Sequence, residues 1–317
     1  MKQKTFASLS FEQKKKPTRR ERFLTQMDGL IPWSALLSLI EPHYPKSGRR
    51  GRQPMPLETM LRIYFMQQWY ALSDPAMEDA LLEIESMRRF AGIELNEDAL
   101  PDETTILNFR HLLEKHGLTE RMLQQINEML ASRGCLLKGG TIVDATIIHA
   151  SPSTKNRARQ RDPEMHQTRK GNQWYFGMKV HVGADAHSGL VHTVGVTSAN
   201  VADVSGLPKL LREEDRALFG DKGYVHNGLK RFARRAGVFW GVSLKARPGR
   251  GLSEAHKRFN RKMSSIRAKV EHVFRVMKCQ FGYKKVRYKG IAKNAAQVFS
   301  LIGLGNLYLA RRQLLTL

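Results

Sequence analysis

The most restrictive feature of this sequence is the run GGTIVDATIIHA at residues 139–150, which is apolar and rich in β-branched residues on both alternating faces. A strand that is apolar on both faces must have other elements packed against both of them. The run therefore predicts a central strand of a sheet that lies between helices. Asp144 interrupts the run. A carboxylate in such a strand is costly unless it is paired or binds a metal ion, so Asp144 is a candidate functional residue.

The residues after this run alternate between strand and helix patterns. Two strands, 174–185 and 190–199, flank a glycine-containing turn and predict a β-hairpin. Single strands are predicted at 216–221 and 238–246. The basic, apolar-poor segment 151–172 between the first strand and the hairpin predicts a loop.

Four helices complete this half of the chain, at about 201–214, 224–237, 253–281 and 291–315. The order is therefore strand, hairpin, helix, strand, helix, strand and long helix. This order favours an α/β fold of the ribonuclease-H-like type, in which helices flank a mixed sheet. Other α/β folds fit the same order.

The first half of the chain has a different pattern. From Pro56 to about residue 133, apolar residues recur at spacings of three and four, which predicts helices. The aromatic residues Tyr64, Phe65 and Trp69 are expected in the core of these helices. Because the character changes near residue 136, we predict a helical region with a basic tail over 1–135 and an α/β domain over 136–317.

The charge of the chain points to a polyanionic partner. Lys and Arg number 53 against 29 Asp and Glu, which gives a formal charge of +24, while 41% of the residues are hydrophobic. The composition excludes wholesale disorder, and nucleic acid is the usual partner of so basic a chain. A ribosomal-type or simply very soluble protein is the alternative. Basic runs at 1–22, predicted to be a mobile tail, and at 46–54 favour phosphate contacts but specify no sequence.

Cysteine usage and hydropathy favour the cytoplasm. Cys135 and Cys279 form neither a CxxC pair nor a disulfide framework. The N-terminus lacks the apolar segment of a signal peptide. The apolar stretch 295–310 is interrupted by polar residues and is too short to span a bilayer, so we expect no membrane partner.

Two further acids join Asp144 as candidates. Asp221 ends a predicted strand, and such strand ends face the ligand crevice in α/β sheets; the alternative is an acid that caps the turn before Gly223. On the long helix, steps of 100° place Arg267, Glu271 and Lys278 on one face beside the buried stripe, with Arg275 close by. Ordinary surface ion pairs are the alternative for that face.

Two aspartates and a glutamate from three separate elements suit Mg²⁺ or Mn²⁺, which prefer oxygen ligands. A pair of such ions can activate a water or a 3′-hydroxyl for attack on phosphorus. Four cations, Lys222, Arg267, Arg275 and Lys278, are then expected to hold phosphates around the ions. A zinc site is the weaker alternative, because the histidines at 149, 181, 187, 192 and 226 match no standard ligand spacing.

Three smaller assignments concern the predicted hairpin and the helix after it. Asp185 is expected to serve the hairpin turn, and Asp203 to cap the helix that starts near 201. Trp174 and Tyr175 are expected in the core of the hairpin, although stacking on a displaced base is the alternative.

Several motifs in this chain resemble the DDE transposases of bacterial insertion sequences, in the group related to insertion sequence five. TIVDAT contains Asp144, and GDKGY contains Asp221. The spacing of Arg267, Glu271 and Lys278 resembles the Y-R-E-K signature of that group. Ser264 stands where the signature has tyrosine. The resemblance covers nearly the whole chain, because the blocks around 171–185 and 197–203 and the N-terminal helical region share it.

The resemblance implies a metal-dependent enzyme that recognises the terminal inverted repeats of its element through residues 1–135. A domain over 136–317 would then cleave double-stranded DNA at the element ends and join the 3′-hydroxyl to target DNA. It further implies Asp144, Asp221 and Glu271 as catalytic metal ligands, a homodimer on paired ends, and action at the nucleoid of a bacterial cell. A DNA-binding regulator without cleavage activity and a nuclease that does not transpose are the alternatives.

Overall fold

In the computed structural model, the described residues are 15–48, 53–136, 139–246, 249 and 251–316. The chain forms two compact units. The first comprises Met1–Ile126 with Ala310–Leu317, and the second comprises Asn127–Leu309. The change from one unit to the other falls within a helix, nine residues before the boundary at residue 135 that the sequence pattern predicts.

The first unit is helical. Its helices are α1 Arg19–Asp28, α2 Trp33–Ile40, α3 Leu57–Tyr70, α4 Asp74–Glu83, α5 Glu85–Ala91, α6 Glu103–Lys115 and the first part of α7 Leu118–Ser132. The predicted core aromatics Tyr64, Phe65 and Trp69 are buried on α3, as expected.

The predicted basic tail is partly helical. Helix α1 begins directly after Thr18, whose side chain accepts a hydrogen bond from the backbone of Glu21 while the Glu21 carboxylate accepts one from Thr18. This reciprocal cap fixes the start of the helix, so the end of the predicted tail is ordered. The tail residues 1–14, and residues 49–52 of the predicted loop 46–54, lie outside the described residues.

The second unit contains a six-stranded mixed sheet. Its strands are β1 Thr141–His149, β2 His166–Lys170, β3 Gln173–Asp185, β4 Val191–Ser198, β5 Ala217–Gly220 and β6 Phe239–Val242. The sheet order is β2-β3-β1-β5-β6, and β4 pairs with the same edge of β3 as β2. Strands β1, β3 and β4 are antiparallel, whereas β5 and β6 run parallel to β1. Strand β1 is therefore central, and the sheet has the ribonuclease-H-like layout that the element order favours.

The helices of the second unit are α8 Leu207–Leu210, α9 Asn227–Arg235, α10 Glu254–Arg275 and most of α11 Ile291–Leu314. One face of the sheet carries a buried cluster made of Val143, Leu207, Leu210, Leu218, Tyr224 and Val242. Helix α10 contacts β1 and β5 and approaches the sheet on the side of Asp144. Because consecutive residues of a strand point to opposite faces, Val143 and Asp144 belong to different layers of the unit.

Three predicted elements differ from the structure. The predicted loop 151–172 contains β2, whose sequence HQTRK has no apolar alternation and forms a strand because it pairs with β3. The predicted helix 201–214 is a 3₁₀ turn at Asp203–Gly206 followed by the single turn α8. The long helix ends at Arg275, and a π-helical turn continues it over Val276–Gln280.

Within the described part of the chain, no single helix is long and apolar enough to cross a bilayer. The helical segments Arg19–Asp28 and Trp33–His43 reach the required length and hydropathy as a pair, and they are bent by 73° at their junction.

Candidate active site

The parallel pairing of β1 with β5 places two of the predicted acids on neighbouring strands. Ile142 pairs with Phe219, so the same register extended by two residues sets Asp144 beside Asp221. Gly220 lets the chain pass close here, because a side chain at that position would meet Val143 and Tyr224 at 3.2 Å. The strand order therefore fixes the relation between the two carboxylates.

Helix α10 brings the third acid to the same place. A pocket of about 310 Å³ is lined by residues of β1, β2, α10, the π-helical turn and the end of β5. The lining residues are Asp144, Ala145, Thr146, Lys170, Asp221, Arg267, Glu271, Phe274, Arg275, Lys278 and Cys279. All the predicted site residues except Lys222 are among them, and Lys222 is exposed at the start of the 3₁₀ turn that follows Asp221.

Asp144 is held by a salt bridge. The Nη2 atom of Arg267 donates a hydrogen bond to Oδ2 of Asp144 at 3.0 Å, and the backbone N–H of Ala145 donates to Oδ1 at 2.8 Å. The two side chains are 14% and 19% exposed for Asp144 and Arg267. Burial raises the pKa of Asp144, Arg267 and the Ala145 amide oppose that shift, and the nearby charge of Asp221 adds to it.

Asp221 caps the turn that follows it. Its Oδ1 accepts the backbone N–H of Gly223 at 2.7 Å at the start of the 3₁₀ turn Lys222–Tyr224. The capping alternative raised by the sequence is therefore present in the structure. Capping engages Oδ1 and leaves Asp221 partly exposed at the pocket, so the two roles are compatible.

Glu271 shares the pocket lining with several cations, of which Lys278 interacts with its charge. Lys278 donates from Nζ to the backbone carbonyl of Ile147 at 2.9 Å. Burial lowers the pKa of Lys278, the charge of Lys170 adds to this effect, and Glu271 opposes it. Lys170 was missed by the sequence analysis, because it lies on β2, which has no strand pattern of its own.

The carboxylates of Asp144, Asp221 and Glu271 are chemically suited to bind divalent cations, but they do not surround a common centre. No group of three His, Cys, Asp or Glu side chains in the described ranges lies close enough to hold one metal ion. Three carboxylates that line one pocket are nevertheless the oxygen donors that Mg²⁺ and Mn²⁺ prefer. Metal binding would require Asp144 to exchange Arg267 for the ion.

Three of the candidate histidines hydrogen-bond to groups of the protein. His181 shares a hydrogen bond with Thr197 at 2.8 Å, His192 contacts Thr141 at 3.0 Å, and His226 caps α9 through Leu229. These contacts explain the buried or capping positions of the rings without a metal ion.

Of the smaller assignments, one is confirmed and two are corrected. Asp185 accepts from the backbone of His187 and Ser188 in the hairpin turn, as predicted. Asp203 is the first residue of its 3₁₀ turn, where Ala202 holds the cap position, and it forms a salt bridge with Lys179 at 2.9 Å. Trp174 is 64% exposed, so its prediction as a core residue is wrong. It lies opposite Arg169, next to the last residue pair of the β2–β3 ladder.

Comparison with known protein families identifies the class of this chain. Residues 136–307 match a family model described as a transposase DDE domain, and residues 11–112 match a second model described as a transposase domain. The first match alone covers more than half of the chain. The chain therefore belongs to the DDE transposase family.

A solved structure of piggyBac transposase, in a synaptic complex with hairpin DNA, is similar over 91% of this chain and 72% of its own. The two chains share 10% identity, and their TM-score is 0.45.

Proposed function

We propose that this chain is the transposase of a bacterial insertion sequence in the group related to insertion sequence five, with the Y-R-E-K signature carried by Arg267, Glu271 and Lys278. It would cleave DNA at the ends of its element and join the freed 3′-hydroxyl to target DNA. The observation that carries this proposal is one pocket whose lining includes three acids, Asp144, Asp221 and Glu271, and four cations, Lys170, Arg267, Arg275 and Lys278.

Before metal binds, the acids of the pocket differ in their contacts. Asp144, Asp221 and Glu271 would hold two Mg²⁺ or Mn²⁺ ions. Such ions activate an attacking water or 3′-hydroxyl and stabilise the oxygen that leaves phosphorus. Asp221 is partly exposed and accepts one backbone hydrogen bond, whereas Asp144 must first leave Arg267.

Arg267 can exchange one anion for another. Its Nε is buried without an acceptor among the described residues, so its guanidinium retains capacity for a further hydrogen bond. We infer that Arg267 turns from Asp144 to a phosphate oxygen when DNA and metal enter. Lys278 and Arg275 line the same pocket, and Lys222 follows Asp221, so these three would hold the adjacent phosphates.

The two regions of the chain would have separate roles. Residues 1–135 would recognise the terminal inverted repeats, and residues 136–317 would carry out the phosphoryl transfer on chromosomal DNA. A homodimer would pair the two ends. Ser264 lies exposed on α10 one turn before Arg267, where it takes the place of the signature tyrosine.

The direct test is cleavage of a duplex that carries the inverted repeat flanking the coding region, in the presence of Mg²⁺. Asp221→Asn and Glu271→Gln should each lower the rate by about 100-fold or more, because each removes a carboxylate that supports several kcal/mol of charge stabilisation. Glu254→Gln is the matched control on α10, since Glu254 is exposed and pairs with Lys257 away from the pocket.

The outcomes separate the candidate functions. Equal rates for the wild-type protein and Asp221→Asn would remove Asp221 from the mechanism. Tight binding of the repeat with no cleavage by the wild-type protein would favour a regulator. Cleavage that strand joining never follows would favour a nuclease.

A further inference from the structure

A basic segment leads away from the acidic pocket along the end of β1. After Lys278, the chain is fixed to β1 by two backbone hydrogen bonds: His149 donates to the carbonyl of Lys284 at 3.2 Å, and Val286 donates to the carbonyl of His149 at 2.8 Å. The buried side chains of Phe281 and Tyr283 anchor the segment in the core. Its course is therefore set by the sheet.

This segment carries cations and no acids. We define the basic strip as Lys278, Lys284, Lys285, Arg287 and Lys289. Lys284, Lys285 and Lys289 are exposed. Glu271 is the last acidic residue of the sequence, so no carboxylate lies within the strip itself. Five cations within twelve residues form a surface that favours a polyanion.

The strip ends at a second, larger pocket of about 670 Å³. Its walls are residues 150–162 on one side and 286–289 on the other, and its cations are Lys155, Arg157, Arg287 and Lys289. The lining also includes serine, asparagine and glutamine side chains, one carboxylate, Asp162, and the less polar residues Ala150, Ala158, Val286 and Tyr288.

The acids of this region serve the start of α11. Asp162 accepts the backbone N–H of Gly290 at 2.7 Å, and Glu164 accepts that of Ile291 at 2.7 Å. These bonds fix the loop wall of the pocket against the segment that carries the strip. They also place the Asp162 carboxylate on the helix start, where it satisfies backbone donors. The cations of the pocket therefore dominate its charge toward an incoming ligand.

Strand β1 sets the distance between the two pockets. Asp144 lines the acidic pocket, and Ala150 lines the second. Six residues of a strand extend by about 20 Å. B-form DNA rises about 3.4 Å per nucleotide along one strand, so this distance corresponds to roughly six nucleotides.

We propose that the basic strip and the second pocket bind the phosphates of the DNA strand that leaves the acidic pocket, with the second pocket about six nucleotides from the scissile bond. This proposal rests on the proposed function, because it takes the acidic pocket as the site of cleavage. It adds a DNA-binding surface beyond the residues that surround the carboxylates.

The first test is the salt dependence of binding to the inverted-repeat duplex. In Lys285→Ala/Lys289→Ala, the negative slope of log K against log salt concentration should become less steep by about 2, since each lost phosphate contact contributes about 0.9. Lys209→Ala/Lys230→Ala is the matched control with the same charge change, at exposed positions on α8 and α9. An unchanged thermal midpoint would show that both double variants fold.

The second test locates the contact on the DNA. One duplex carries neutral methylphosphonate linkages five to seven nucleotides from the cleavage site. A control duplex carries the same number of these linkages farther from the site. The near substitutions should weaken binding by the wild-type protein and should have little further effect on Lys285→Ala/Lys289→Ala. Equal weakening of both proteins, or an unchanged salt slope in the variant, would overturn the proposal.

The two proposals fail in different ways. Cleavage by the wild-type protein, measured on the same duplex, tests the acidic pocket without reference to the strip. If cleavage occurs while the salt slopes of the double variants agree, the strip proposal is wrong and the proposed function stands. If the near linkages show the predicted coupling but no cleavage occurs, the strip binds DNA in a protein that is not a nuclease.

Discussion

Replacement of Arg267 by methionine tests whether the Asp144–Arg267 salt bridge is the main electrostatic support of the pocket in the absence of metal. The substitution keeps much of the side-chain length and removes the guanidinium. Asp144 would remain largely buried, with the Ala145 amide as its hydrogen-bond donor. We expect a clear loss of stability, because a buried carboxylate without its counter-charge bears the full cost of desolvation.

The expected size follows from burial. Breaking a fully buried pair costs about 3–5 kcal/mol, and an exposed pair contributes about 0–1 kcal/mol. With side chains 14% and 19% exposed, this pair lies near the buried limit, so we expect a loss of roughly 2–4 kcal/mol. For a unit of this size, that loss lowers the thermal midpoint by roughly 5–12 °C.

The pH dependence has a defined sign. Burial already raises the pKa of Asp144, and loss of Arg267 removes the strongest opposing effect, so the pKa rises further. A group whose pKa is higher in the folded state binds protons more tightly there, and stability then increases as the pH falls through that range. The defect of Arg267→Met should therefore shrink between pH 7 and pH 5.

The assay is urea unfolding at both pH values, with Arg261→Met as the control at an exposed position of the same helix. The double variant Asp144→Asn/Arg267→Met should recover about 1–3 kcal/mol relative to Arg267→Met, because the unpaired charge is gone. The reasoning would be refuted if Arg267→Met stayed within about 0.5 kcal/mol of the wild-type protein, or if the double variant were no more stable than the single one.

Three further outcomes can be measured by the same unfolding method. Trp174→Ala should change stability by less than about 0.5 kcal/mol because Trp174 is exposed, whereas Trp69→Ala should cost about 3–5 kcal/mol because Trp69 is buried; similar losses would contradict the exposure of Trp174. Tyr224→Phe should leave stability unchanged or raise it slightly, since the Tyr224 hydroxyl is buried without a partner among the described residues; a loss above about 1 kcal/mol would reveal a hydrogen bond there. Burial lowers the pKa of His192 to about 4, so stability should fall by up to about 3 kcal/mol as the pH drops from 6.5 to 4; a parallel pH profile for His192→Gln would show that His192 is not responsible.

Much of the second unit could be predicted because its signals are local. The run at 139–150 is β1, the hairpin pattern is β3 and β4, and the last helix begins and ends within a residue of its predicted bounds. In each of these elements, the order of apolar and polar residues indicates which parts are buried. Strand β2 and the short turn at 203–210 do not, because their structure depends on partners elsewhere in the chain.

The sequence by itself was enough to predict three candidate site residues, because the interrupted apolar run, the acid after a strand and the charged face of a helix mark Asp144, Asp221 and Glu271. Only the tertiary structure decided what those residues contact. Sheet register brings Lys170 into the acidic pocket, and helix packing joins Arg267 to Asp144 across more than a hundred residues. The physical reason is that the spacing of apolar residues indicates how much of a helix or strand is buried. The residues that it packs against belong to distant segments, which become neighbours only when the sheet and helices pack.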